Sequence, residues 1–171
     1  LARRIMFAFD PTWGYVEYLD LYRRAWEVNR ARAPGTPPFR ILHLNYRPDW
    51  SAAPEGIKDQ ADWARVWNRG SSDAYMAGVL HREVVDKNEK ALVYCGRHHA
   101  FTRYRQPETD QKNRRALRFT SDRLGNQTLA AAGESVACVL LHAPFRQRDD
   151  SYAAAAGGVV DAAVALARED G

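Results

Sequence analysis

Short apolar runs alternate along the chain with longer amphipathic stretches. The runs are IMFAF (5–9), FRILHLNY (39–46), KALVYC (90–95) and SVACVLLH (135–142). Each is rich in β-branched or aromatic side chains and lacks a clean apolar–polar alternation, the pattern of a strand buried on both faces. Between them, YVEYLDLYRRAWEVNRAR (15–32) sets Val16, Leu19, Tyr22, Trp26 and Asn29 at three- and four-residue steps, the spacing of one helical face. PGTPP (34–38) ends that helix, because proline cannot continue the hydrogen-bond ladder. SSDAYMAGVLHREVVDKNEK (71–90) opens on Ser and Asp, good acceptors for the free amides of a first turn, and carries the stripe Met76, Val79, Leu80, Val84. A third helix is expected over 122–132 with Gly133 as its stop, and a fourth over 153–170.

Strand, helix, strand, helix in this order predicts an α/β fold: a mostly parallel sheet of about four or more strands flanked by helices. At 171 residues the chain is expected to be a single domain spanning 1–171. A ligand crevice in such a sheet lies beyond the carboxyl ends of the strands. Those ends carry Asp10, then Asn45 to Arg47, then Gly96 to His99, then His142. The segments 47–60 and 103–118 read as loops, the second strongly basic.

Composition narrows the partners. The net charge of +4 is mild for this length and calls for no specific nucleic acid. The basic loop is expected to bind nucleic acid weakly at most, with steep salt dependence. No run approaches the ~18 apolar residues of a membrane span, and no signal peptide is visible, so a soluble protein is expected, its compartment undecided. The opening LARRIMFAFD enters an apolar run almost at once without a methionine, and reads as a piece of a longer chain. Cys95 and Cys138 each sit in an apolar run and are read as core residues, although a bridge between them stays open; two cysteines are too few for a disulfide framework or a zinc cluster. The P-loop, GxGxxG, GxSxG, HExxH and CxxC signatures are all missing.

The candidate chemistry gathers at the strand ends. His98 and His99 follow Gly96, a residue that allows a sharp turn. Adjacent side chains in a strand-end turn point different ways, so one of the two is expected to face a crevice; surface-loop histidines explain the pair equally well. Asp10 offers a base or a metal ligand, with turn capping as the plainer reading. Asp73 reads first as a helix N-cap. His43 and His81 read as structural, and His142 as intermediate. Trp50, Trp63, Trp67 and Tyr75 read as packing rather than as a stacking platform.

Three segments together resemble the superfamily that joins the erythromycin esterases, the haem-uptake protein ChaN and the TraB/Tiki proteins. DAYMAGVLHREVVDKNEKALVYCGRHHAFTRY is similar to its pattern of Asp or Asn followed by Met-Ala on a helix, then a strand ending in G-x-x-H; here these are Asp73, Met76, Ala77, Gly96 and His99. RLGNQTLAAAGESVACVLLHAPF (123–145) resembles the glycine-led helix and last strand that follow. FAFDPTWGYVEYLDLY resembles a strand ending in an acid, with Asp10 in that place. The family's G-E-x-H motif has no counterpart in the chain, and Ser72 stands where the family commonly has arginine. The resemblance implies a hydrolase acting on a small-molecule substrate, with Asp10 and His99 as the catalytic pair: His99 activates water or holds a divalent metal, and Asp10 accepts a proton or completes the metal's shell, with Asp73 a further candidate ligand. Its alternatives are a haem- or iron-binding protein using His98, His99, Tyr94 or Tyr104, and a non-catalytic relative.

Overall fold

A computed structural model describes residues 15–110 and 115–140, with Arg4 and positions 145–146, 152–153, 162 and 165–166. The chain divides into two compact units, Leu1–Ala137 and Cys138–Gly171. In the first unit the order is helix α1 (Val16–Ala31), a 3-10 turn (Trp50–Ala52), α2 (Gln60–Val66), α3 (Ser72–Leu80), a wider π-turn (His81–Val85), α4 (Arg97–Ala100), strands β1 (Gln106–Thr109) and β2 (Ala116–Thr120), then α5 (Leu124–Ala132) and a 3-10 turn (Gly133–Ser135). The second unit contains the short strands β3 (Phe145–Arg146) and β4 (Tyr152–Ala153).

The expectation of a mostly parallel sheet of four or more strands is overturned. The sheets among the described residues are two antiparallel pairs, β1 with β2 and β3 with β4. Of the four apolar runs, residues 39–46, 90–95 and 136–140 form no strand among the described residues, and 5–9 lies outside them. The physical reason is that strand-like composition describes a fit to a half-buried pleated surface and does not itself create pairing. The pairing that forms is local. β1 lies inside the segment 103–118 read as a basic loop and β2 begins in it and runs two residues beyond, with Gln106 opposite Thr120 and Glu108 opposite Arg118. Arg118 donates to both Glu108 carboxylate oxygens, at 2.6 and 3.0 Å.

The helices follow their local signals more closely. α1 begins after Tyr15 and ends at Ala31, just before the proline-bearing segment. Its side is fastened to the run 39–46 by polar contacts. Asn29 Nδ2 donates to the Phe39 carbonyl at 2.9 Å, its Oδ1 accepts from the Phe39 amide at 2.8 Å, and the Tyr22 hydroxyl lies 2.7 Å from His43 Nε2. α2 falls at the edge of a segment read as loop; its signal was the reciprocal capping of Asp59 and Asp62, which satisfies two free amides at its start. α5 stops at Gly133, whose φ of +57° is the left-handed region that favours glycine. The helix expected over 153–170 lies mostly outside the described residues, and Tyr152–Ala153 is a strand.

The core of the first unit is small. Met76, Ala77 and Leu80 of α3 pack on Leu124 of α5, with Leu44, Val84 and Cys95 against them. The runs 39–46 and 90–95 thus each place one side chain on this core, Leu44 and Cys95. Tyr46, next along the first run, is 2% exposed and stacks edge-on against Trp67 and Tyr75 at 5.5 and 5.2 Å, its hydroxyl donating to the Gly70 carbonyl. These contacts make Trp67 and Tyr75 packing residues. Cys138, in contrast to the expectation of a core residue, is exposed.

Candidate functional site

α3 starts with Ser71 as its N-cap, the Ser71 hydroxyl accepting from the Ala74 amide at 3.3 Å. Ser71 therefore takes the capping role expected of Asp73. Asp73 sits in the first helical turn, 5% exposed, and its carboxylate turns toward other elements. Oδ1 lies 2.7 Å from His99 Nδ1 and accepts from the Leu124 amide at 2.8 Å. Oδ2 faces Arg123 Nη1 at 3.3 Å. One buried carboxylate thus joins α3, the histidine turn α4 and the start of α5. Burial opposes its charge, but the hydrogen bonds from His99, Leu124 and Arg123, with the charge of His99, outweigh burial and hold the carboxyl below its ordinary range.

The turn bearing the histidines is helical, Arg97–Ala100, with the His99 amide donating to the Gly96 carbonyl at 2.9 Å. That changes the expected geometry. The two imidazoles do not diverge as in a strand-end turn; their ring centroids are 3.9 Å apart at a 43° tilt. Gly96 has φ −60° and needs no special freedom. Burial, the neighbouring His99 and the Arg123 and Arg97 charges push His98 below the ordinary histidine pKa, against the pull of Asp73, so its ring stays neutral at pH 7.

Packing holds this turn from behind. A Cβ on Gly125 would stand 2.5 Å from the Phe101 carbonyl oxygen and 2.6 Å from that of Ala100, so α5 approaches the turn as only glycine permits. Asn126, 8% exposed, donates through Nδ2 to the Thr102 carbonyl at 2.8 Å and accepts from the Arg123 amide at 3.2 Å. Gln106 Nε2 donates to the His98 carbonyl, tying β1 to the same turn.

Of the residues expected to form a site, His99 and Asp73 come together and the His98 ring lies tilted against that of His99. Asp10 and His142 lie outside the described residues. Tyr104 is half-exposed with its ring 5.0 Å from that of Phe101, and Tyr94 stands 6.3 Å from Tyr18. His81, 3.9 Å from the Asp86 carboxylate, and His43 are engaged locally, as structural histidines are. Arg123 and Asn126 carry no signal in the sequence beyond their position at the start of the helix after the histidines, whereas Gly125 is the leading glycine of that helix.

With Nδ1 against a carboxylate, a neutral His99 carries its proton there and presents Nε2 as an acceptor. That arrangement suits a general base, or one metal ligand with a carboxylate behind it. Asp73 fits a metal shell poorly, since both its oxygens are engaged and a guanidinium lies beside it. Among the described residues no three His, Cys, Asp or Glu side chains gather as a metal shell, and no helix is long and apolar enough to cross a membrane. In comparisons with known families, curated proteins and solved structures, nothing matches the chain.

Proposed function

We propose that the chain is a hydrolase-like domain of the erythromycin-esterase or Tiki type, which its sequence resembles, working on a small-molecule ester. The observation that carries this reading is the 2.7 Å contact between His99 Nδ1 and the buried Asp73 carboxylate. A carboxylate at Nδ1 favours the tautomer whose Nε2 can take a proton from water. The resulting hydroxide attacks the ester carbonyl, and protonated His99 returns its proton to the departing alkoxide. Asp73 stays ionised throughout and stabilises the transient imidazolium. Asp10, the acid of the resembling first segment, is the expected second carboxylate.

The test is hydrolysis of a panel of activated esters by the full chain. His99→Ala is expected to abolish turnover. Asp73→Asn, which supports the wrong tautomer, should cut it by roughly 10³–10⁴-fold. Hydrolysis that survives both substitutions removes the dyad. A Soret band on haem titration that is lost in His99→Ala, with no ester turnover by the wild type, replaces this reading with haem binding.

A further inference from the structure

We propose that Arg123 is a positioning residue for the base, locking the Asp73 carboxylate so that His99 keeps its proton on Nδ1. This rests on the functional reading above. The two oxygens of Asp73 are used unequally. Oδ1 serves both His99 and the Leu124 amide, whereas Arg123 Nη1 is the donor to Oδ2 among the described residues. The torsion that turns a carboxylate is soft and two-fold. With Oδ2 unheld, the group can rotate, and the single bond to His99 loses its direction. With Oδ2 held, rotation breaks an ion pair inside a buried site.

Arg123 is placed for this by its backbone. It is the residue before Leu124, so one short segment supplies donors to both oxygens of Asp73. The same segment is fixed to the histidine turn through Asn126, which accepts from the Arg123 amide and donates to the Thr102 carbonyl. The guanidinium takes its position at the expense of its own satisfaction, for its Nε is buried without a hydrogen-bond partner. A side chain that leaves one donor unmet to place another on a carboxylate is held there by that carboxylate.

The experiment reads the His99 tautomer by nitrogen-15 NMR on the histidine-labelled full chain, at a pH where the imidazole is neutral. Wild type, Arg123→Lys and Arg123→Gln are compared. Wild type should be mainly the Nδ1–H form, Arg123→Lys should lose part of it, and Arg123→Gln most of it, with ester turnover falling in the same order and KM little changed. Arg123→Gln keeping the wild-type tautomer overturns the proposal. If that variant does not fold, Arg123→Lys decides: partial loss supports the lock, and a wild-type population overturns it. Because the tautomer is read without substrate, the two ideas fail separately. An intact Arg, Lys, Gln order with no ester turnover sinks the hydrolase and keeps the lock; turnover without that order does the reverse.

Discussion

Asp73 shows how one side chain changes meaning with context. Read along the chain it is a cap; in the fold Ser71 caps, and Asp73 bonds to groups 26 and 51 positions later. Asparagine removes the charge that faces Arg123 and turns one of the two acceptor oxygens into a donor, so His99, Arg123 and the Leu124 amide cannot all keep their bonds. Asp73→Asn should therefore cost on the order of 3 kcal/mol of unfolding free energy, measured by urea titration; a loss below about 0.5 kcal/mol would contradict the burial and bonding described for it. The pH dependence follows from the same neighbourhood. His98 has its pKa lowered in the folded chain, so the unfolded chain binds more protons near pH 6. Stability associated with His98 is full above about pH 6.5, the ordinary histidine midpoint, and declines as pH falls through that region. Asp73, held low, adds stability above the ordinary carboxyl range that is lost only in stronger acid. His98→Gln should flatten the dependence of the urea midpoint on pH between about 7 and 5.5. An unchanged slope would show that the imidazole's surroundings do not act as described.

Elements were legible where their signals are local. α1, α3 and α5 have caps, stripes or stops that operate within a few residues, and they form close to where the spacing places them. The β1–β2 pair was missed because its strands are short and polar outside, and α2 because its capping signal was passed over. Two glycines test the element packing directly. Gly78 lies mid-helix in α3 with nothing within 4 Å of an added Cβ, whereas Gly125 faces backbone at 2.5 Å. Gly78→Ala should stabilise by up to about 1 kcal/mol through helix propensity. Gly125→Ala should destabilise by about 1–3 kcal/mol, as overpacking does, and should weaken ester turnover by moving the histidine turn. Equal thermal midpoints for the two variants would refute the close approach of α5 to that turn.

Across the molecule, the apolar runs are where expectation and structure part. Leu92 is 98% exposed, Val139 81% and Tyr94 72%. Side chains chosen for a sheet interior thus stand in solvent, while their neighbours Leu44 and Cys95 reach the core. A residue so exposed makes little contribution to folding, so Leu92→Glu should shift stability by no more than about 0.5 kcal/mol while raising solubility. A large loss of stability on that substitution would mean Leu92 is covered. Cys138, exposed, should react with a thiol reagent faster than Cys95, which packs on the core.

The sequence by itself determined the helices with strong local signals, the apolar face of α3 and the residue types from which a histidine–carboxylate pair is built. All of these depend on neighbours a few positions away. Only the tertiary structure decided that the described apolar runs form no strands, that His98 and His99 lie ring against ring, and that Asp73 and Arg123 stand behind His99. Those outcomes depend on contacts across tens of residues, where pairing and burial compete, and no period or spacing along the chain encodes which contact wins.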